Sequence, residues 1–180
     1  MSARVGIGFD SHPLVAGRPC VLGGIAIPHP KGPLGHSDGD AVLHAIADAL
    51  LGAAGDEGDL GTLFPDTDPR GKGADSAAIL REVALRVRAS GYAIANVDVV
   101  VATDGPRIAP HRAAIRARIG EILGLDPSAV NVKGKSTEGL AGGEVRDAVA
   151  AQAVCLLADG PRLSPANAPA SPGGPGRSSA

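Results

Sequence analysis

The spacing of apolar positions changes period several times along the chain, and each change marks an element. Arg4–Phe9 and Cys20–Ile27 are short apolar runs of strand character, the second bounded by Pro28 and Pro30. A helical period follows. Val42, Leu43, Ile46, Ala47, Leu50 and Leu51 share one face of a helix over about Gly39–Ala54, for which Ser37-Asp38 offers an N-cap. Gly55–Gly61 and the turn-forming run Phe64-Pro65-Asp66-Thr67-Asp68-Pro69 then make one long polar loop, of the kind that carries function. A second amphipathic helix covers Asp75–Ala89 and is closed by Gly91, and valine-rich Ile94–Ala102 is the strongest strand signal. Past the turn at Gly105-Pro106, the pattern predicts a third helix over Pro110–Leu123, ended by Gly124, and a short strand over Ala129–Lys133. Val145–Leu157 fits a buried helix or a buried strand equally well by period alone. Strands alternating with helices predict an α/β sandwich, with helices on one or both faces of a sheet.

Composition sets the limits of that domain. From Gly160 onward the text turns to Pro, Ser, Gly and Ala, which predicts a folded domain over 1–159 and a disordered tail over 160–180. Aromatic residues are only 2% of the chain and Trp is absent, so the core must be filled by Ala, Val, Ile and Leu. A net charge of -2 with scattered Lys and Arg gives no footprint for nucleic acid, although a small phosphorylated ligand remains compatible. No apolar run approaches the roughly 20 residues that span a bilayer, and Met1–Ile7 has no leader pattern. A cytoplasmic protein without a membrane partner is expected. Cys20 and Cys155, with no CxxC, read as buried filler in a reducing compartment.

The candidate chemistry begins with histidine. In Phe9-Asp10-Ser11-His12-Pro13, a strand of period two turns Asp10 and His12 to one face at the end of the first strand. On the first helix Asp40, His44 and Asp48 are spaced four apart and lie along one line, so that His44 can ligate a metal while a helix neighbour accepts its other ring proton. Two imidazoles and a carboxylate leave the fourth tetrahedral position open, as catalytic zinc sites do. An Asp/His pair at that spacing also occurs on plain solvated helix faces. His36-Ser37-Asp38-Gly39-Asp40 opens the helix and offers unpaired amides to an anion, or else is an ordinary cap. Asp59, Asp66 and Asp68 can bond polyol hydroxyls or form Asx turns. Thr103-Asp104-Gly105-Pro106-Arg107-Ile108-Ala109 suits backbone recognition of a base edge with charge pairing to phosphate, and Lys133-Gly134-Lys135-Ser136-Thr137-Glu138 suits a phosphate-bridging divalent ion.

In this order, Gly6-x-Gly8-Phe9-Asp10-Ser11-His12, Leu22-Gly23-Gly24, His36-Ser37-Asp38-Gly39-Asp40 with His44, Gly58-Asp59-Leu60-Gly61, Phe64–Pro69 and Asn131-Val132-Lys133 resemble the 2-C-methyl-D-erythritol 2,4-cyclodiphosphate synthases of non-mevalonate isoprenoid biosynthesis. The resemblance covers about Arg4–Asp159. It implies an α+β sandwich with a four-stranded mixed sheet and helices on one face, Val145–Leu157 as a strand, and a homotrimer with active sites between subunits. It implies a lyase that cyclises a cytidine diphosphate substrate with loss of CMP, zinc on Asp10, His12 and His44, and Mg or Mn held at the diphosphate with Glu138. His36 and Ser136 stand where the family stabilises the transition state. Substrate contacts are implied for Asp10, Ser11, His12, His36, Ser37, Asp59, Leu60, Gly61, Phe64, Pro65, Asp66, Thr67 and Asp68. They are implied equally for Thr103, Asp104, Gly105, Pro106, Arg107, Ile108, Ala109, Lys135, Ser136, Thr137 and Glu138. The family's later phenylalanine and arginine are missing from Gly139–Val145, for which Lys135 or Arg146 is the substitute at hand. A zinc-dependent phosphohydrolase and a non-catalytic cytidine-nucleotide module are the rival readings.

Overall fold

In the first strand the bulky residues point out and the glycines point in. β1 (Ala3–Ala16) buries Gly6 and Gly8, while Val5, Ile7 and Phe9 on the other face are 61% to 67% exposed. The glycines are required by what lies over them. A Cβ on Gly6 would sit 1.9 Å from the Ala49 carbonyl oxygen, and one on Gly8 2.0 Å from that of Ala45, so α1 (Ala41–Ala54) rests backbone against backbone on the strand. The computed structural model in which this is seen describes residues 3–56, 58–64, 73–138 and 147–161.

After β1 come β2 (Val21–Leu22), β3 (Ile25–Ala26) and β4 (Lys31–Pro33), then α1, α2 (Leu60–Leu63) and α3 (Ser76–Ala89). The second half adds β5 (Tyr92–Thr103), α4 (Arg112–Leu123), β6 (Val130–Lys135) and β7 (Ala148–Asp159). The main sheet has five strands in the order β4-β1-β7-β5-β6, with β5 and β6 parallel and the other pairs antiparallel. The expected four-stranded sheet is thus corrected to five. The extra strand, β4, pairs Lys31–Pro33 with Leu14–Ala16 at the sheet edge, where a proline withholds no ladder bond from a neighbour. α1 lies on β1 and β7, α3 on β5, and α4 on β6. Under them Val97, Val99, Val101, Val130, Val132, Ala151, Ala153, Cys155 and Leu157 are buried on the same side as Gly6 and Gly8. The helices therefore cover one face. Val145–Leu157, ambiguous by period, is strand β7 from Ala148 onward.

Other boundaries moved for identifiable reasons. Cys20–Ile27 is a small hairpin of its own, because Gly23 and Gly24 at positive φ turn the chain between Val21–Leu22 and Ile25–Ala26. α1 starts at Ala41, capped by Asp40 and not by Ser37-Asp38. The fully buried Asp40 carboxylate accepts N–H bonds from Val42 and Leu43 at 3.1 Å, and also from Gly23 at 2.9 Å and Gly24 at 2.6 Å, tying the hairpin to the helix start. The Val42 and Leu43 amides, open to an anion at an uncapped helix start, are taken by Asp40 itself. Within the loop after α1, Asp59 caps the short helix α2 through its bond from the Thr62 amide. The third helix begins at Arg112 behind a single 3-10 turn over Ala109–His111, and Gly124 closes it in the left-handed conformation as expected. Cys20 and Cys155 are both buried, and burial pushes the Cys155 thiol up to about 12. Pro65, Asp66, Thr67 and Asp68, the departure over Gly139–Val145, Arg146, and the tail beyond residue 161 lie outside the described residues.

Candidate metal centre

The glycine contact of β1 with α1 sets up the centre one step further along the same pair. Asp10 and His12 continue the inward face of Gly6 and Gly8, and His44 stands on the turn of α1 that passes over them. Because β1 runs on to Ala16, Asp10 and His12 lie within the strand and not at its end. Asp10 Oδ2 is 2.9 Å from His44 Nδ1 and 3.0 Å from His12 Nε2. Single ligand atoms of the three residues fall within 4.8 Å of one another.

The proton positions decide what such a cluster can hold. His12 Nε2 is buried, and its 3.0 Å approach to Asp10 lacks the angle of a hydrogen bond, so this nitrogen has no bonded partner. The ring's other nitrogen is the one left for its bond to the Leu34 backbone. His44 Nε2 lies 2.8 Å from Ser76 Oγ and 3.3 Å from Ser37 Oγ, which leaves Nδ1 toward Asp10. Two ring nitrogens thus converge on one carboxylate oxygen, and when the ring protons sit on the far nitrogens the three atoms are all Lewis bases that a cation can bind together. The three groups also bias one another's protonation. Burial alone would raise Asp10, yet the bonds and charges of His12 and His44 hold its carboxyl well below the usual carboxylate range. The contact with Asp10 in turn raises His12 above its ordinary value, against the opposing pull of burial. These residues fit a divalent ion of nitrogen and oxygen preference.

A pocket of about 380 Å³ opens beside the cluster and is lined also by His36, Ser37, Asp48, Leu60, Gly61 and Phe64. The expected helix neighbours of His44 do other work. Asp40 is the cap, and Asp48 accepts the Leu60 amide at 2.8 Å, holding α2 at the pocket wall. Ser11 is exposed, its amide bonded to Asp10 Oδ1 at 2.8 Å. Asp59 spends Oδ1 on the amide and hydroxyl of Thr62. Ser76 was not singled out by sequence reasoning: a serine opening a helix carries no ligand signal until the fold sets it against His44.

The remaining candidates form a second cluster. Thr103 on β5 and His12 on β1 both pair with Val149 of β7, so the loop after Thr103 leaves the same end of the sheet as the metal cluster, on the far side of one strand. There Asp104 accepts bonds from the Thr137 amide at 2.9 Å and hydroxyl at 2.6 Å, joining the turn over Thr103–Ala109 to the segment over Lys135–Glu138. Gly105-Pro106 is a cis peptide, Ile108 is buried beneath Gly134, and the Ser136 hydroxyl donates to the Glu138 carboxylate. None of these residues lines the pocket beside Asp10.

Residues 3–158 match the YgbB family. The chain belongs to the YgbB family. Among curated YgbB relatives, the 2-C-methyl-D-erythritol 2,4-cyclodiphosphate synthase of Chromobacterium violaceum is 59% identical over 155 residues, covering 86% of this chain and 98% of that protein. A solved structure of 2C-methyl-D-erythritol-2,4-cyclodiphosphate synthase in a CDP-bound form has a TM-score of 0.79 at 44% identity, spanning 86% of this chain and all (100%) of that one. The CDP complex of IspF from Plasmodium falciparum has a TM-score of 0.76 at 35% identity, over 88% of this chain and 97% of its own. Among the described residues of this YgbB chain, no helix is long and apolar enough to cross a membrane.

Proposed function

We propose that this chain is a cyclising phosphorus–oxygen lyase, converting 4-diphosphocytidyl-2-C-methyl-D-erythritol 2-phosphate to 2-C-methyl-D-erythritol 2,4-cyclodiphosphate and CMP in non-mevalonate isoprenoid biosynthesis. The carrying observation is likeness to a named synthase at 59% identity over nearly its whole length, with Asp10, His12 and His44 brought together in one cluster of this chain. In the reaction an oxygen of the substrate's own 2-phosphate forms a bond to the β-phosphorus, and the bond from that phosphorus to the CMP oxygen breaks. No protein nucleophile is needed. The protein's task is to fold the substrate onto itself and to meet the developing charge.

Asp10, His12 and His44 hold zinc in this reading, chosen for two imidazoles and a carboxylate. Such an ion supplies Lewis acidity and a fixed template when bound. His36, exposed at the pocket, and Ser136 donate hydrogen bonds to phosphoryl oxygens as charge builds. Ser11, Ser37, Asp59–Gly61 and Phe64–Asp68 surround the methylerythritol end. Thr103–Ala109 receives the cytidine, while Lys135, Thr137 and Glu138 meet the diphosphate, with Mg or Mn on Glu138.

The two clusters belong to one site in a homotrimer, where the metal cluster of one subunit faces the nucleotide cluster of the next. The outward face of β1 supports this, since Val5, Ile7 and Phe9 with Val154 of β7 expose 42% to 67% of their surface on one side of the sheet. Phosphorus NMR of the product mixture tests the reaction. CMP with a cyclic diphosphate is expected, whereas free phosphate or a linear monophosphate would make the chain a hydrolase. His44→Ala should lose zinc and turnover together while the subunit stays folded, and full turnover by a zinc-free His44→Ala protein would remove the metal from the reading.

A further inference from the structure

His44 is held from behind as well as in front. Its Nε2 lies 2.8 Å from the hydroxyl of Ser76, the first residue of α3 and only 1% exposed. That hydroxyl in turn donates to Asp38 Oδ1, and Asp38 Oδ2 accepts the Ser76 amide at 3.2 Å. Asp38 Oδ1 also accepts the Asp40 amide at 3.2 Å, so this carboxylate is fixed from both α1 and α3. A serine hydroxyl has one proton. An ionised carboxylate can only accept, so the proton points to Asp38 and the Ser76 oxygen can only accept from His44. Nε2 therefore carries a ring hydrogen, and in the neutral ring Nδ1, 2.9 Å from Asp10 Oδ2, is left with its lone pair toward the cluster.

We propose that Ser76, oriented by Asp38, is a positioning residue that fixes His44 as its Nε2–H tautomer and so aims Nδ1 at the metal. The inference rests on reading Asp10, His12 and His44 as the metal's ligands. It assigns a purpose to two residues outside the ligand set. Partners that fix the tautomer of a ligating histidine typically change metal affinity about 10–100-fold when removed. Ser76→Ala keeps a good helix former at the start of α3 and leaves its Asp75 cap in place, so the fold should survive.

Histidine nitrogen NMR of the zinc-loaded wild-type protein should show His44 protonated at Nε2 and bound through Nδ1. Competition with a chromophoric chelator should show zinc held about 10–100-fold more weakly by Ser76→Ala. In the metal-free variant at a pH where the ring is neutral, the His44 spectrum should move toward a mixture of tautomers. A residue that merely packs would lower the melting temperature without moving the tautomer. Zinc bound through Nε2 in the wild type overturns the proposal without any variant. So does Ser76→Ala that holds zinc within about a factor of two of wild type with an unchanged His44 spectrum. Failure of the wild-type protein to bind zinc at all would sink the metal reading itself, a different result from either.

Discussion

Asp40 is a carboxylate with four amide donors and no exposure, and these features pull its protonation in opposite directions. Burial wins, raising it to about 6 against the bonds from Gly24, Gly23 and Leu43. The folded chain then takes up a proton more readily than the unfolded chain, so Asp40 favours folding most below the ordinary value of 3.8, and that advantage is lost as pH rises through about 6. Against Asp40→Asn, which does not titrate, metal-free wild type should lose about 2 kcal/mol of relative stability between pH 4 and pH 7. Urea unfolding at the two pH values measures it, and a difference indifferent to pH would contradict the burial argument. At this scale Asp10 and His12 were legible as a pair sharing one strand face, whereas joining them to His44, 34 residues on from Asp10, needed the resemblance, and the structure brings the three together. The roles of Asp40 and Asp48 were not legible. Four-residue spacing placed both beside His44, but whether such a carboxylate faces a ring or a backbone amide depends on chain segments that spacing does not contain, here Gly23-Gly24 and Leu60.

The contact between β1 and α1 converts two missing side chains into the position of a third. Gly8→Ala would place a methyl 2.0 Å from the Ala45 carbonyl oxygen, a clash with backbone that α1 can relieve only by lifting away. A destabilisation of about 1–3 kcal/mol is expected, the usual range for overpacking. His44 rides on the same helix, so in the metal reading zinc affinity should fall as well, measured on the folded fraction by chelator competition. Gly52→Ala is the control on that helix. Gly52 has nothing within 4 Å of a built Cβ, and alanine there should stabilise by about 0.5–1 kcal/mol in thermal unfolding. Helices α1, α3 and α4 were readable because their apolar stripes face the core in the ordinary sense. β1 was readable as a strand, yet its inward residues are glycines, and period two cannot tell which of two alternating sets is buried when the smaller set faces a helix. β4 and the β2–β3 hairpin escaped because runs of two or three residues have no period.

Among the described residues, the whole molecule is a sheet with helices on one face and exposed apolar side chains on the other. In the trimer reading, Ile7→Glu puts a charge on a side chain that is 63% exposed in the isolated subunit and meets a neighbouring subunit in the assembly. Sedimentation should find monomers that keep the helical circular-dichroism signal, and turnover should vanish because neither cluster is a complete site. An unchanged trimer would move the interface elsewhere. That the loops after Thr103 and Lys135 meet through Asp104 and Thr137, and stand apart from the pocket, required the sheet order. If that face is the trimer interface, the outward turn of Val5, Ile7 and Phe9 also makes protein concentration a thermodynamic variable. A surface that is covered only by association draws part of its stability from mass action. The melting temperature should then climb with concentration and sag on dilution, and an assay run on very dilute protein would report the subunit equilibrium as if it were a catalytic rate.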